Sequence, residues 1–186
     1  MSGKHPIAAA YMPKRCRRCD ALLLPHREGD PHNKFVCSLD EKHERWVQSG
    51  FVAYVIPLDP AEHAVVVRRG IPPAVGGLCF PGGYIDYGDT AEETVVHEAM
   101  DEACVKIDPN ELIYLGQWFE PGPGVLVMAF IAYVAHADVL EFDADKIPNH
   151  ESTERLIVDI HEMKPTVLAF NGNRLALAAA RRMISR

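Results

Sequence analysis

The 186-residue chain lacks the roughly 18 consecutive apolar residues that a membrane-spanning helix requires. The apolar run within Met1 to Tyr11 is too short for a secretory signal, and Lys14 and Arg15 follow it at once. Internal repeats and low-complexity stretches are also absent, which excludes solenoid and fibrous architectures. We therefore expect a soluble cytoplasmic protein with no membrane partner, and 48% hydrophobic with 24% charged residues is an ordinary globular composition.

Cysteine and basic residues are both scarce. The five cysteines are an odd number in a chain without an export signal, which indicates thiols or metal ligands rather than a disulfide framework. Lys and Arg together number 19 against 26 Asp and Glu, so the net charge is −7. A chain with a net negative charge is a poor candidate for non-specific nucleic-acid binding through its overall electrostatic field, and we do not expect nucleic acid as a partner.

The charge is unevenly distributed and predicts two modules. Residues 1–49 contain nine Lys or Arg and six Asp or Glu, a net charge of +3, so residues 50–186 carry −10. The first segment has too few large apolar residues for a core of its own, and such a segment needs a metal or a neighbour to become ordered. We predict an N-terminal module at residues 1–49 and the main domain at residues 50–186.

Beyond residue 50 the pattern predicts a mixed α/β domain. Runs of β-branched and aromatic residues bounded by Gly, Pro or Asp predict five strands, and two amphipathic segments predict helices. The strands are residues 51–57, 64–68, 112–119, 125–135 and 156–160, and the helices are residues 90–104 and 173–185. One apolar face of the second helix is predicted to pack on the core, and it comprises Leu175, Ala178, Ala179 and Met183.

The most informative stretch is residues 80–105, which read FPGGYIDYGDTAEETVVHEAMDEACV. A double glycine, Gly82 and Gly83, lets the chain bend where side chains would block it. Thr90 and Glu93, three residues apart, form the capping box that begins a helix. The sequence therefore predicts a glycine loop that leads directly into a helix.

Three carboxylates project from one face of that helix. Glu98 and Glu102 are four residues apart, and Asp101 is three residues after Glu98. Like charges at this spacing repel, and a bound divalent cation would reverse the sign of that interaction. Oxygen ligands suit hard cations such as Mg²⁺ or Mn²⁺, which also bind phosphate oxygens. A solvated acidic helix without a metal is the alternative for the charge cluster taken alone.

The stretch resembles the Nudix box, in which Gly, five residues, Glu and seven residues precede Arg-Glu-aliphatic-any-Glu-Glu-any-Gly-aliphatic. Here Gly83 opens the pattern, Asp89 and His97 keep its spacing, and Glu98 and Glu102 match directly. The resemblance implies an α/β/α sandwich with a mixed sheet. It also implies hydrolysis of a nucleoside diphosphate linked to a second moiety, with Mg²⁺ or Mn²⁺ as cofactor, and we expect a homodimer.

The same resemblance assigns residues to the site. The helix carboxylates and the Gly83 carbonyl would hold the cations, and a further carboxylate outside the box would complete the site. Glu151 is the first candidate for it and Glu154 the second, since both precede a predicted strand, with a surface charge as the alternative for either. The predicted metal ligands are Gly83, Glu98, Asp101 and Glu102, and the predicted catalytic residues are Glu98, Glu102 and Glu151.

Asp101 replaces a Glu of the family pattern and keeps its charge, and three further positions depart from the pattern. The family pairs the box Glu with the box Arg, and Asp89 and His97 stand there instead, which predicts a structural pair with a pH dependence that an Arg pair lacks. Cys104 occupies the position where Gly usually ends the helix in a left-handed conformation, which is costlier for a residue with a Cβ. These changes raise the alternative of a nucleotide-sensing module with weak or no hydrolysis.

Three cysteines in the first module have the spacing of a zinc ribbon. Two are separated by two residues, and the third follows after 17. In such ribbons tetrahedral thiolates replace a hydrophobic core. The usual fourth cysteine is missing, and a ribbon that has lost its metal is the alternative. The three cysteines are Cys16, Cys19 and Cys37, and the fourth ligand is predicted to be His43, with Asp40 and His32 as alternatives.

A ribbon followed by a Nudix domain resembles the subgroup of NADH pyrophosphatases and related enzymes that act on ADP-ribose or FAD. The Ser-Gln-Pro-Trp-Pro-Phe-Pro signature of NADH pyrophosphatases is missing, which favours ADP-ribose or FAD-like substrates. Arg68 and Arg69 at a strand end are predicted to contact phosphate, and Trp118 or Phe119 to stack on adenine. A solvated strand end and core packing are the respective alternatives.

A different function would use the ribbon itself. Lys14, Arg15, Arg17 and Arg18 form a basic patch that would suit a nucleic-acid or protein adaptor. Beside a negatively charged domain, such cations more often offset metal thiolates, so the pyrophosphohydrolase is the leading hypothesis.

Overall fold

The computed structural model describes residues 12–25, 34–47, 49–86, 88–135 and 151–185. The chain divides into two compact units: the first is Met1–Gly50 with Glu120–Val125, and the second is Phe51–Phe119 with Leu126–Arg186. The predicted module boundary between residues 49 and 50 stays a prediction. In the described part of the chain, no helix has the length and apolar character needed to cross a bilayer.

The described residues of the first unit form a small antiparallel sheet. Its strands are β1 (Leu23–Pro25), β2 (Lys34–Cys37) and β3 (Glu44–Trp46), and they lie in the order β1-β2-β3. The buried cluster beside them consists of Cys16, Leu23, Phe35 and Cys37. The expected small β module is therefore confirmed, and its apolar cluster is too small to order it without further interactions.

Among the described residues, the second unit contains nearly all of a sheet of seven strands. The strands are β4 (Gly50–Leu58), β5 (His63–Arg69), β6 (Leu78–Cys79), β7 (Gly82–Tyr84), β8 (Leu112–Glu120), β9 (Val125–Tyr133) and β10 (Ser152–Asp159). Their order is β10-β5-β4-β9-β8, with β6 paired to β5 and β7 paired to β4. β10 is antiparallel to β5, whereas β4 and β9 run in the same direction, since Gly50 bonds to Gly124 and Val134 bonds to Leu58. The sheet is therefore mixed, as expected.

Two α-helices, α1 (Ala91–Ala103) and α2 (Asn171–Ile184), lie in the part of the chain that the structure describes. α1 buries Val95, Ala99 and Ala103 against one face of the sheet. The sheet residues of that cluster include Ala53, Val55, Val65, Val67, Phe130 and Ala132, and they alternate along their strands with the equally buried Ile56, Val66 and Ile131. Both faces of the sheet are therefore covered, and the expected α/β/α sandwich is confirmed.

The buried face of α2 is rotated relative to the prediction. Its buried residues include Ala176, Leu177 and Ala180. The Asn173 side-chain oxygen fixes this rotation, because it accepts a 2.6 Å hydrogen bond from the buried backbone N–H of Phe80. The prediction was wrong because an alanine-rich helix presents small apolar residues on every side. Of the predicted face, Ala179 is buried and Leu175, Ala178 and Met183 are half-buried.

Local interactions fix both ends of α1. At the N-terminus the Thr90 hydroxyl accepts the N–H of Glu93 at 3.1 Å, and the Glu93 carboxylate accepts the N–H of Thr90 at 2.8 Å, which is the predicted capping box. At the C-terminus Cys104 adopts φ 52° and ψ 36°, the left-handed conformation that glycine favours. The buried guanidinium of Arg155 donates to the Ala103 carbonyl at 3.1 Å and complements the negative end of the helix.

Replacing Cys104 by glycine should stabilise the fold relative to replacing it by alanine. Alanine removes the thiol and keeps a Cβ in the left-handed conformation, whereas glycine removes both the thiol and the strain. We expect the free energy of unfolding of Cys104→Gly to exceed that of Cys104→Ala by about 1 kcal/mol in urea denaturation. Equal stabilities of the two variants would mean that the backbone at residue 104 carries no strain.

Candidate active site and metal centre

A glycine pair leads the chain from the sheet towards α1. In β7, Gly83 pairs with Ala53 and Gly82 pairs with Tyr54 of β4. Gly82 has a φ of 153°, and a Cβ there would lie 2.2 Å from the Ala53 carbonyl oxygen. This contact excludes a side chain at residue 82 and gives a physical reason for the first glycine.

Two glutamates of α1 pack against this glycine pair. A Cβ on Gly83 would lie 2.1 Å from Glu98 Oε1, so the Glu98 carboxylate occupies the space that a side chain at residue 83 would take. The Gly82 N–H donates to Glu102 Oε2 at 3.0 Å, and Glu102 is only 2% exposed. The loop therefore fixes the position of both glutamates that the sequence predicts to be catalytic.

An acidic cleft of about 350 Å³ opens beside Glu98 in the second unit. Its described lining contains five carboxylates, one imidazole and no Lys or Arg. The lining residues are Tyr84, Asp86, Asp89, Thr94, His97, Glu98, Asp101 and Glu151. Negative charge of this density, without Lys or Arg in the described lining, favours the binding of a cation.

Burial and neighbouring charges raise the pKa values of both glutamates. Burial, followed by the charges of Glu151 and Asp101, raises the pKa of Glu98 above its ordinary value. Burial raises the pKa of Glu102 to about 7, and the negative charge of Glu98 adds to this shift although a backbone N–H opposes it. The fold therefore favours the protonated form of these two glutamates, whereas a glutamate exposed to water is ionised at neutral pH.

The donor set of the cleft fits a hard divalent cation. Carboxylate and carbonyl oxygens are the ligands that Mg²⁺ and Mn²⁺ prefer, and a cation would offset the repulsion between the carboxylates. Within the described residues, the cleft carboxylates converge less closely than the ligand atoms of the cysteine cluster, which all lie within 4.8 Å of one another.

Of the two carboxylates predicted to complete the site, Glu151 lies in the cleft. It immediately precedes β10 and lines the cleft together with Glu98 and Asp101 of α1. Glu154 instead accepts a 2.6 Å hydrogen bond from Arg68 Nε on the neighbouring strand β5. The structure thus places the first candidate with the helix carboxylates and the second in a surface ion pair, and the catalytic role of Glu151 stays a prediction.

The Asp89–His97 pair is loose. Asp89 Oδ2 lies 3.9 Å from His97 Nδ1, and 68% of the His97 side chain is exposed. Exposed pairs at such distances contribute little to stability. The predicted structural role of the pair therefore stays a prediction.

The predicted substrate-binding residues lie elsewhere in the second unit. The Arg69 guanidinium lies 5.1 Å from the ring centre of Phe170. Trp118 and Phe119 lie near the end of β8. None of the three is among the described residues that line the cleft, so their contacts with substrate stay predictions.

Sequence reasoning missed Asp86 and Arg155. Asp86 lies three residues after Gly83, lines the cleft, and contributes to the raised pKa of Glu98. An acidic residue inside a glycine loop is the signal that could have identified it. Arg155 caps α1 from β10. Arg155 stands immediately before the strand predicted at residues 156–160, and no sequence signal indicated that its side chain is buried.

The described part of the first unit brings together the predicted zinc ligands. The ligand atoms of Cys16, Cys19, Cys37 and His43 all lie within 4.8 Å of one another, and the Sγ atoms of Cys19 and Cys37 are 3.4 Å apart. A tetrahedron with zinc–sulfur bonds of about 2.3 Å has edges of about 3.8 Å. The observed spacing therefore fits one tetrahedral ion.

Backbone N–H donors face two of the sulfur atoms. The Arg18 N–H donates to Cys16 Sγ and the Leu39 N–H donates to Cys37 Sγ, each at 3.4 Å. The bond from Arg18 is the main cause that lowers the pKa of the Cys16 thiol to about 7. Because metals bind the thiolate, this backbone arrangement favours the form of the sulfur that serves as a ligand.

His43 joins the cysteines, and Asp40 lies behind it. His43 Nδ1 lies 3.7 Å from Cys16 Sγ and 3.8 Å from Cys19 Sγ, and His43 Nε2 lies 3.4 Å from Asp40 Oδ2. A carboxylate on the outer nitrogen orients a metal-binding imidazole. The geometry therefore gives Asp40 a supporting position instead of a ligand position, and the other alternative, His32, lies outside the described residues.

Replacing Glu102 by glutamine should flatten the pH dependence of stability in protein dialysed free of Mg²⁺ and Mn²⁺. Because its pKa is raised from 4.5 to about 7, Glu102 contributes stability that is fully present below pH 4.5 and lost as the pH rises through about 7. Over that interval the wild-type free energy of unfolding should fall by up to about 3 kcal/mol more than that of Glu102→Gln, measured by urea denaturation.

The control for this measurement is Glu92→Gln, an exposed residue of α1 that does not line the cleft. Its pH dependence should match the wild type, since it removes an exposed carboxylate from the same helix, whereas Glu102 is buried. Identical pH profiles for all three proteins would contradict the raised pKa of Glu102.

Most of the chain matches the model of a known protein family. The NUDIX domain model matches residues 49–179. The NAD-capped RNA hydrolase NudC of Photorhabdus laumondii is 26% identical over 131 residues, which are 68% of this chain and 45% of that protein. The chain thus spans less than half the length of this curated relative.

Solved structures share the fold at low sequence identity. A NUDIX hydrolase from Nitrosomonas europaea has a TM-score of 0.69 at 19% identity, and the match covers 94% of both chains. The NUDIX domain of Shewanella oneidensis NrtR, solved with ADP ribose, has a TM-score of 0.57 at 17% identity over 74% of this chain and 88% of that one. With the box residues on a glycine loop and helix, and a family model that matches most of its length, this chain belongs to the NUDIX domain family.

Proposed function

We propose that this protein is a metal-dependent pyrophosphohydrolase that cleaves a nucleoside diphosphate linked to a second moiety. One observation carries the proposal: Glu98 and Glu102 pack on the glycine pair, and Glu98 lines a cleft whose described lining has five carboxylates and no Lys or Arg. Membership of the NUDIX family supports the reaction class.

Mg²⁺ or Mn²⁺ is the cofactor that these oxygens fit. Glu98, Asp101 and Glu102 would hold it with the Gly83 carbonyl, and Glu151 would add a carboxylate from the segment before β10. When bound, the cation supplies positive charge to the diphosphate and makes water a stronger nucleophile. The chain itself holds these oxygens in place, through the glycine pair and the two fixed ends of α1.

ADP-ribose or an FAD-like dinucleotide is the substrate class we favour over NADH. The NADH pyrophosphatase signature is missing after the box, where Gln117-Trp118-Phe119 stands. The names of two similar proteins, an NAD-capped RNA hydrolase and a NUDIX domain complexed with ADP ribose, support a ligand with an adenosine diphosphate unit. Arg69 and the two aromatic residues remain the proposed contacts for phosphate and adenine.

A nucleotide-sensing module with weak or no hydrolysis is the second candidate. The loose Asp89–His97 pair favours it, because the family uses a Glu–Arg pair to steady the loop at these positions. The retained Glu98 and Glu102 favour the enzyme, since a sensor requires neither carboxylate. Binding of ADP-ribose without metal-dependent turnover would select the sensor.

A structural zinc ion bound by Cys16, Cys19, Cys37 and His43 completes the proposal. The convergence of four ligand atoms supports it, and so does the small apolar cluster of the first unit. Structural zinc sites contribute folding energy directly, which is what a module with a small core requires.

Glu98→Gln and Glu102→Gln should each lower kcat by at least ~10²-fold, because each removes a charged oxygen while keeping the shape of the side chain. A screen of ADP-ribose, FAD, NADH, diadenosine polyphosphates and CoA in Mg²⁺ and in Mn²⁺ identifies the substrate for this measurement. Glu92→Gln, on the same helix but outside the cleft, should retain wild-type kcat. Near-wild-type turnover by both glutamate variants would contradict the assignment.

Elemental analysis of protein purified without chelator should show about one zinc per chain, as a closed four-ligand site implies. Cys37→Ser should lose the zinc, whereas Cys104→Ser, which lies outside the cluster, should retain it. Asp40→Asn should keep the zinc with an affinity lower by about 10–100-fold, because the imidazole loses its orienting carboxylate. A metal-free protein whose Cys16 and Cys19 react freely with a thiol reagent would show that the ribbon binds no zinc.

A further inference from the structure

Another cavity, of about 450 Å³, lies within the first unit and has a basic and aromatic lining. Its volume falls in the range of small-molecule sites, about 300–1,000 Å³. Arg17, Arg18, Arg45 and Trp46 line it next to the predicted zinc ligands. The function proposed above uses none of these four side chains.

The cavity carries an excess of positive charge. Of the described residues, no carboxylate pairs with the guanidinium groups of Arg17, Arg18 or Arg45. Glu44 is the carboxylate in the described lining, and the Lys34 ammonium engages it. Three thiolates around one Zn²⁺ would contribute a net charge of about −1, so the three arginines leave the cavity positive. A site of this kind favours an anion such as phosphate.

Trp46 adds an aromatic surface to the basic lining. Trp46 is 49% exposed to solvent, and the Lys34 ammonium lies 5.7 Å from the centre of its ring. The pairing of Lys34 with Trp46 across β2 and β3 fixes the place of the ring. Any nucleobase can stack on such a ring, because every base has a flat aromatic face. Arginines beside the ring can contact the phosphate groups.

We infer that this ribbon cavity binds a nucleotide unit, with the arginines on its phosphate and Trp46 on its base. The net charge of −7 opposes nucleic acid through the overall field, but the cavity concentrates cations in one place. Single-stranded RNA and a free nucleotide such as AMP both present this chemistry. The inference does not rest on the proposed hydrolysis, since it uses no residue of the acidic cleft.

The test is fluorescence anisotropy of a labelled oligoadenylate RNA with the full-length protein as purified, without added Mg²⁺ or Mn²⁺. Binding by Arg17→Gln/Arg18→Gln/Arg45→Gln should be weaker by roughly tenfold or more. The slope of log Kd against log salt concentration should fall by about 2, because three contacts to single-strand phosphates are lost. An unchanged affinity and slope in this variant would overturn the inference.

The matched control removes three exposed cations of the second unit, in Lys106→Gln/Lys164→Gln/Arg182→Gln. It should bind RNA within about twofold of the wild type, because the cavity is intact. Equal weakening in the control and in the cavity variant would overturn the inference, since binding would then follow the overall charge.

Stacking is tested separately at residue 46. Trp46→Leu should weaken binding roughly tenfold, whereas Trp46→Phe should keep most of the affinity because phenylalanine still offers a stacking face. Zinc content and thermal unfolding verify that each variant is folded. If the triple arginine variant fails to fold, the single variant Arg45→Gln replaces it. The slope of log Kd against log salt concentration is then measured for the wild type, and a slope near zero would overturn the inference.

Competition with unlabelled AMP separates the two sources of the ligand. Displacement by AMP at the same concentration of nucleotide units as unlabelled RNA identifies a free-nucleotide site. Displacement by RNA alone identifies a site for a strand, and both results support the shared chemistry. Failure of the wild type to bind either ligand, or equal binding by the wild type and Trp46→Leu, would contradict it.

Discussion

The close placement of carboxylates around one glycine loop, with its burial and mutual repulsion, is the constraint on which the candidate site of the second unit depends. Gly82 and Gly83 leave no side chain between β7 and α1, so Glu98 and Glu102 pack directly against the loop backbone. The helix is fixed at both ends, by its capping box and by Arg155. The fold therefore holds like charges near one another, and a divalent cation is the ligand that relieves their repulsion most directly.

The first unit also holds several possible metal ligands close together, with sulfur in place of oxygen. Cys16 and Cys37 occupy the buried cluster where a larger module would have aliphatic residues. His43 closes the set, and Asp40 faces the outer nitrogen of its ring. Thiolates and imidazole suit zinc, whereas carboxylates suit magnesium or manganese, so the two units are suited to different metals. The arginines around the cysteine cluster also give the first unit a surface of opposite charge to the acidic cleft.

Features that depend on neighbours along the chain could be predicted from the sequence, and features that depend on distant residues could not. The five predicted strands, the capping box and the left-handed Cys104 belong to the first kind. The choice between Glu151 and Glu154 depended on which one Arg68 engages from another strand. The rotation of α2 depended on a hydrogen bond that the Asn173 side chain accepts from the distant backbone N–H of Phe80. β6 and β7 have two and three residues, too few to show a period.

Calorimetric titration of the full-length protein with Mn²⁺, in buffers of different ionisation enthalpy, tests the central claim most directly. Burial and the charges of neighbouring carboxylates raise the pKa values of Glu98 and Glu102, and a bound cation would offset both effects. Binding near about pH 6 should therefore release on the order of one proton per ion, and binding near about pH 8.5 should release fewer. Glu102→Gln should bind Mn²⁺ more weakly and release fewer protons at the lower pH. Proton release that is the same at both pH values, or no binding of Mn²⁺ at all, would contradict the claim.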